Sequence, residues 1–324
     1  MDTSLARIQP CTAVSGESFV ESLLTGLART PKEIACKYFY DAAGSRLFEQ
    51  ICELPEYYQT RTEMALLNRH AGEIAALMGE SVEILEFGAG SLRKVRILLD
   101  AAQNPYAYTP LDISGDYLQE VVRALAADYP ALLLRPVVGD FTCPLEIPDL
   151  PGRNAKISRR AGFFPGSTIG NFKPDAAMAL LRQMRASLNG GGLLIGVDLV
   201  KDPVRLHAAY NDAAGVTARF NKNLMVRANR ELGADFDPDG FAHYAPYNAG
   251  AHRVEMYLVS LKRQSVSIGG ARFDFAAGEP VHTEDSHKYT IESFREMAAR
   301  AGFNPRAVWT DPDRLFAVHW LESR

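Results

Sequence analysis

The apolar positions of this 324-residue chain change their period twice. Up to about Met78 they recur at helical spacing, as in Leu66, Leu67, Ile74 and Leu77, broken by the aromatic runs Tyr38-Phe39-Tyr40 and Pro55-Glu56-Tyr57-Tyr58. Short apolar runs then alternate with helical stretches. Strands are predicted over 82–87, 107–113, 133–141, 161–167 and 193–200, and helices over 91–102, 117–129 and 176–188, the last ended by Asn189-Gly190-Gly191-Gly192. Such alternation predicts an α/β fold with a doubly wound, mostly parallel sheet. After Val200 the rhythm breaks. Residues 201–235 read as polar helix, 253–261 and 265–275 as antiparallel strands, 289–301 as helix and 307–320 as two short strands. The sequence therefore divides into an α/β core over 62–200 and 287–324, and a second, α+β domain over 1–61 and 201–286.

The strand ends carry the candidate chemistry, because ligands of open α/β sheets bind outside the carboxyl ends of the strands. Glu86-Phe87-Gly88-Ala89-Gly90-Ser91 reads as a glycine loop between strand and helix. A dinucleotide site wants a third glycine where this chain has Arg93, so the nicotinamide fingerprint is incomplete. Glu-x-Gly-x-Gly fits the first loop of an S-adenosylmethionine site better. Asp112 ends the next strand, placed to accept both ribose hydroxyls, and Asp140-Phe141 ends the third, suited to an adenine amino group and ring. Lys94, one turn into the helix, is placed to pair with the cofactor's carboxylate. Each feature has a plain alternative: a turn for Gly88 and Gly90, a helix cap for Asp112, core for Phe141 and a solvated lysine for Lys94. Their conjunction at successive strand ends favours the cofactor. Phe164-Pro165-Gly166-Ser167-Thr168-Ile169-Gly170-Asn171 ends a later strand in small residues and one amide, which would face a second substrate.

Composition narrows the class. The chain is 47% hydrophobic and 23% charged, with a net charge of -4, so it has no basic footprint for nucleic acid. Its four cysteines form no Cys-x-x-Cys pair and its seven histidines no ligand cluster, so neither a disulfide scaffold nor a metal site is expected. No apolar run reaches the roughly 18 residues of a membrane span. The start of the chain lacks the pattern of a signal peptide. The expectation is a cytoplasmic monomer acting on a small molecule, without nucleic acid or membrane.

Longer motifs identify a family. Lys37-Tyr38-Phe39-Tyr40-Asp41, Leu54-Pro55-Glu56-Tyr57-Tyr58-x-Thr60-Arg61-Thr62-Glu63, Gly166-Ser167-Thr168-Ile169-Gly170-Asn171, Ala209-Tyr210-Asn211-Asp212-Ala213-Ala214-Gly215-Val216-Thr217 and Thr283-Glu284-x-Ser286-x-Lys288 span nearly the whole chain. Together they resemble the histidine-specific Nα-methyltransferases of ergothioneine biosynthesis. The resemblance implies a class I methyltransferase core with a separate amino-acid-binding domain, and S-adenosylmethionine as cofactor. Its substrate is L-histidine and its product the trimethylated betaine hercynine. It implies that Tyr57, Asn171 and Tyr210 hold the substrate carboxylate, with Gly166 and Asn171 near the reacting α-amine. Glu284 and Ser286 would hold the imidazole, with Tyr40 and Met256 lining its pocket. Gly88, Gly90, Lys94, Asp112, Asp140 and Phe141 fall on cofactor positions. Val95 stands where the family more often has Thr.

The residue chemistry agrees. Neutral imidazole has one donor and one acceptor nitrogen, which Glu and Ser can answer together. No dedicated base stands out near Gly166 and Asn171, so the amine proton is expected to leave to solvent. The alternatives are an N-methyltransferase of another aromatic amino acid or amine, a nicotinamide oxidoreductase, and a non-enzymatic ligand-binding module.

Overall fold

A computed structural model describes residues 17–90, 92–113, 115–143, 147, 159–188 and 190–323. The chain forms two compact units, one over Gln59–Leu199 and Tyr289–Arg324, the other over Ser15–Tyr58 and Val200–Lys288. The divisions thus differ by one to three residues from those read in the sequence at 61/62, 200/201 and 286/287. Two contacts explain the shifts. The helix Tyr58–Met78 is continuous, and its Leu66, Leu67, Ile74 and Met78 are core of the first unit. Tyr289 donates its N–H to the Asp198 carbonyl at 3.1 Å, so the first unit resumes there.

The first unit is built on one eight-stranded sheet. From one edge the order is Phe303–Thr310, Phe316–Ser323, Gly192–Asp198, Arg160–Phe164, Glu83–Phe87, Ala107–Asp112 and Leu133–Leu134, with Val137–Val138 also pairing Ala107–Asp112. All pairings are parallel except those of Phe316–Ser323 with its two neighbours. Glu83–Phe87 and Gly192–Asp198 are buried along their whole length, as strands covered on both faces must be. Two apolar clusters flank the sheet, one around Leu67, Leu98 and Tyr108, the other around Phe164, Leu181 and Phe294. The chain winds outward from Glu83–Phe87, then returns to pair Arg160–Phe164 on its other side. That reversal places the loops after these two strands at the topological switch point.

The doubly wound sheet is the one the alternation predicts. The predicted strand 133–141 is instead two pairs of residues, Leu133–Leu134 and Val137–Val138. Pro136 lies between them and has no N–H for the ladder. Asp140 and Phe141 accordingly lie in a turn rather than on a strand.

In the second unit a sheet runs Lys32–Glu33, Pro280–His287, Arg253–Ser260 and Phe241–Tyr244, and Tyr247–Asn248 also pairs Arg253–Ser260. The helix Val216–Leu232 packs on this sheet and on the helix Ala42–Cys52. Polar motif residues fix these elements. Asp212 accepts from the N–H groups of Val216 and Thr217, both at 2.8 Å, and so starts Val216–Leu232. This cap splits the predicted helix 201–235 into Pro203–Tyr210 and Val216–Leu232. Asn211 clamps Ala245 through both its carbonyl and its N–H, and Asn221 donates to the Tyr257 carbonyl at 3.0 Å. The predicted strand 265–275 is a hairpin, Gln264–Ile268 and Ala271–Phe275, turning at Gly269-Gly270.

Candidate active site

The glycine loop of the first unit is tied to the neighbouring strand. Gly88 and Ala89 both donate to the Leu111 carbonyl, at 2.8 and 3.0 Å. Gly88 has φ +73°, which only glycine adopts without strain. A Cβ there would lie 3.4 Å from the Phe141 ring, so the loop and Phe141 face one another. Phe141 in turn packs edge-on against Phe164 and Phe172. Asp112 is half-buried at the end of its strand, and its carbonyl accepts from Gly139 at 2.9 Å. Asp140 accepts from the Thr142 backbone N–H at 2.9 Å and from its hydroxyl at 2.6 Å.

This donor and acceptor set fits S-adenosylmethionine. The glycines allow close approach, one carboxylate ends its strand and a second stands in the turn after the next, and a ring lies beside the loop. Asp112→Ala should weaken S-adenosylmethionine binding by about 1.5–3 kcal/mol, the range for hydrogen bonds to a charged group. Calorimetry showing unchanged affinity would remove Asp112 from the site.

Glu86 begins the loop but is fully buried and accepts from the Tyr108 hydroxyl. Burial pushes its pKa from 4.5 up to about 8, against the pull of the Tyr108 bond and of Lys94. The folded value lies above the unfolded one. The stability Glu86 contributes is therefore fully present below about 4.5 and is lost as pH rises through about 8. Glu86→Gln cannot ionise, so its Tm should fall less than wild type between about pH 5 and about pH 9. Parallel Tm curves would show that Glu86 does not titrate in this window.

Sequence reasoning left Glu63 without a role, although it ends a motif. Its carboxylate is buried and accepts from the Gly166 N–H with both oxygens, at 3.0 and 2.9 Å. Lys94 donates to it at 2.6 Å. Lys94 is thus a half-buried member of an ion pair, neither a solvated lysine nor one poised only for a ligand. Gly166 has φ +79° and precedes Ser167, also left-handed, whose hydroxyl accepts from the Asp198 N–H at 2.8 Å. The turn leads into the 3-10 helix Thr168–Asn171, which ends in Asn171.

The second unit gathers the other residues. Met256 and Glu284 are directly paired across two antiparallel strands, and Val254 pairs Ser286. Paired residues share a face, so Met256, Glu284 and Ser286 project the same way. Thr283, Glu284, Asp285 and Ser286 are all buried. Tyr210 and Ser286 hydroxyls lie 2.7 Å apart. Lys288 joins them, donating to Tyr210 at 2.8 Å and to Ser286 at 2.7 Å. The Tyr57 ring packs against Tyr210 and Phe48, and Tyr40 against Phe48 and Phe220. His243 donates from Nε2 to the Tyr210 carbonyl at 2.8 Å, which anchors the end of that helix. Burial pushes the Glu284 pKa up to about 8, against the opposing pull of Lys288. Lys288 is the residue that sequence reasoning missed here, although it closes the last motif.

A parallel sheet wound both ways from its centre, edged by a reversed hairpin and bearing glycines and carboxylates at its strand ends, defines a class I methyltransferase core. The chain belongs to the family described as histidine-specific methyltransferases, SAM-dependent, which matches residues 19–323. It is 41% identical over 310 residues to a histidine N-alpha-methyltransferase of Mycolicibacterium smegmatis, covering 94% of each chain. It is 40% identical over 294 residues to the protein of the same name from Mycobacterium tuberculosis, covering 89% of each. With ergothioneine biosynthesis protein 1 of Neurospora crassa it shares 28% identity over 319 residues, 95% of this chain and 36% of that one.

Proposed function

We propose that this enzyme methylates the α-amine of L-histidine three times, giving hercynine for ergothioneine biosynthesis, and that it works as a cytoplasmic monomer. The observation that carries the choice of histidine is the pairing of Met256 with Glu284 beside Ser286, which sets an apolar wall, an acid and a hydroxyl on one buried face. An imidazole presents a donor, an acceptor and an apolar ring, and these three groups answer it. The names of the two mycobacterial relatives and of the fungal protein support the same reading. No helix among the described residues is long and apolar enough to cross a membrane.

S-adenosylmethionine supplies an electrophilic methyl group and leaves as S-adenosylhomocysteine. Gly88, Gly90, Asp112, Asp140 and Phe141 bind it in this reading, with Lys94 beside them. Tyr57, Tyr210 and Asn171 hold the amino acid by its carboxylate. Gly166 and Asn171 orient the amine so that its lone pair points along the line of displacement. Alignment of this kind is worth up to about 7–11 kcal/mol of the barrier. The amine proton goes to solvent. The small residues Gly166, Ser167 and Thr168 are compatible with a pocket that admits added methyl groups.

The test is incubation with S-adenosylmethionine and each of the twenty amino acids, read by mass. Three added methyl groups on histidine alone are expected. Turnover of tryptophan or another aromatic amino acid in preference to histidine would overturn the assignment.

A further inference from the structure

Lys288, Tyr210 and Ser286 form a closed triangle of hydrogen bonds with edges of 2.8, 2.7 and 2.7 Å. All three residues are buried, Lys288 to 3% exposure. An ammonium group only donates. Its two N–H bonds occupy one lone pair on each hydroxyl oxygen, and the hydroxyl–hydroxyl bond consumes one O–H and one further lone pair. One hydroxyl proton is left to point out of the triangle. When Tyr210 donates to Ser286, the Ser286 oxygen accepts twice and can only donate outward. When the bond runs the other way, any N–H approaching Ser286 must share its oxygen with an ammonium.

We infer that Lys288 is a positioning and specificity residue that makes Ser286 a donor and so selects the neutral imidazole of histidine against the imidazolium form. The inference rests on the reading above in which Ser286 meets a ring nitrogen. Imidazolium carries a donor on both nitrogens, so the one facing Ser286 meets an oxygen that is either filled or already shared with an ammonium. Charge acts in the same direction. The Lys288 charge already acts on Glu284, and imidazolium would add a second buried cation beside it. Whether ionised or protonated, the Glu284 carboxyl keeps an oxygen that accepts the N–H of a neutral ring. Burial keeps the neighbouring Tyr40 hydroxyl and Cys36 thiol in their neutral forms, and the Tyr57 ring packs against Tyr210. Asp285, His287, Glu255 and Arg253 belong to the same electrostatic neighbourhood.

The test compares histidine with 1,2,4-triazol-3-ylalanine, whose ring keeps an N–H and acceptor nitrogens but stays neutral across the pH range used. Dividing the two kcat/KM values cancels the titration of the α-amine and of the protein's own groups. In wild type the histidine-to-triazole ratio should fall about tenfold from about pH 7.5 to about pH 5.5, following the imidazole pKa near 6.5. In Lys288→Met, Ser286 regains an acceptor lone pair and the second cation is gone, so the ratio should fall less than about threefold over the same range. Lys288→Arg keeps the cation and should restore part of the wild-type slope. A wild-type ratio that is flat or rises toward acid pH overturns the inference, and this arm needs no variant to fold. Equal slopes in wild type and in a folded Lys288→Met also overturn it. Failure of wild type to turn over histidine at any pH would instead overturn the proposed function, and the inference with it.

Discussion

Glu284→Val should lose histidine and gain apolar rings. The side chain is buried beside its cross-strand partner Met256, so valine leaves a dry wall where an acid stood. A histidine ring N–H held there would have no acceptor, and a buried donor left unsatisfied costs about 1–3 kcal/mol. The kcat/KM for histidine should therefore fall roughly fivefold to more than a hundredfold. Phenylalanine and tryptophan should rise in relative terms, because the wild-type site rejects them by leaving its own polar groups unpaired. Glu284→Gln keeps an acceptor and the shape, so its loss should be smaller. Ser286→Ala should also lose less than Glu284→Val, its bond being one of several within the Lys288 triangle. The measurement is kcat/KM for histidine, phenylalanine and tryptophan in wild type and the variants. A fall below about threefold for histidine, or an equal fall for all three substrates, would show that Glu284 does not read the imidazole.

The sheet was legible because its signal is periodic. Strands buried on both faces read as near-continuous apolar runs, and Gly192–Asp198 is of this kind, while Glu83–Phe87 carries two buried glutamates among its apolar residues. Val137–Val138 and the Gly269-Gly270 hairpin were misjudged in extent because one proline and one pair of glycines act locally, below the resolution of a periodic pattern. The strand Pro280–His287 was harder still, since beyond Val281 its buried positions are Thr283, Glu284, Asp285, Ser286 and His287. Polar residues in a buried strand break the rule that makes strands visible; here Thr283 donates to the Met256 carbonyl, Asp285 meets His282 and Arg253, and Ser286 meets Tyr210 and Lys288. The cofactor residues were named from their strand ends and the substrate residues through family resemblance, while the groups that hold them were not. Asn211 and Asp212 belong to the same motifs yet serve a clamp and a cap. A motif marks that a residue is needed; only the contacts show for what.

Glu63 has the largest expected effect of any single residue outside the ligand-contacting set. One buried carboxylate joins four elements of the first unit. It sits on the helix Tyr58–Met78, accepts from the Gly166 loop, pairs Lys94 of the helix Leu92–Ala101, and lies against Gly196 of the strand Gly192–Asp198. A Cβ on Gly196 would stand 2.0 Å from the Glu63 oxygen, so that glycine is what leaves the carboxylate its place. Glu63→Leu strands the Gly166 N–H and leaves the Lys94 ammonium, whose side chain is 14% exposed, without this partner. Breaking a buried pair from one side costs about 3–5 kcal/mol, and Lys94 can recover part of that by turning toward water, so about 3 kcal/mol is expected. Glu63→Gln keeps an acceptor for Gly166 and should cost less, about 1–3 kcal/mol. If the carboxylate and ammonium act as a pair, Glu63→Gln combined with Lys94→Met should cost less than the sum of the two single changes. Gly196→Ala should reach the same loop by displacing the carboxylate without removing it. Because Asn171 and Gly166 follow from this turn, kcat should fall in Glu63→Gln beyond what its loss of folded protein explains. Denaturant unfolding with parallel kinetics measures both. A Glu63→Leu protein within about 1 kcal/mol of wild type, with unchanged kcat, would mean that the loop after Phe164 holds its shape without the carboxylate.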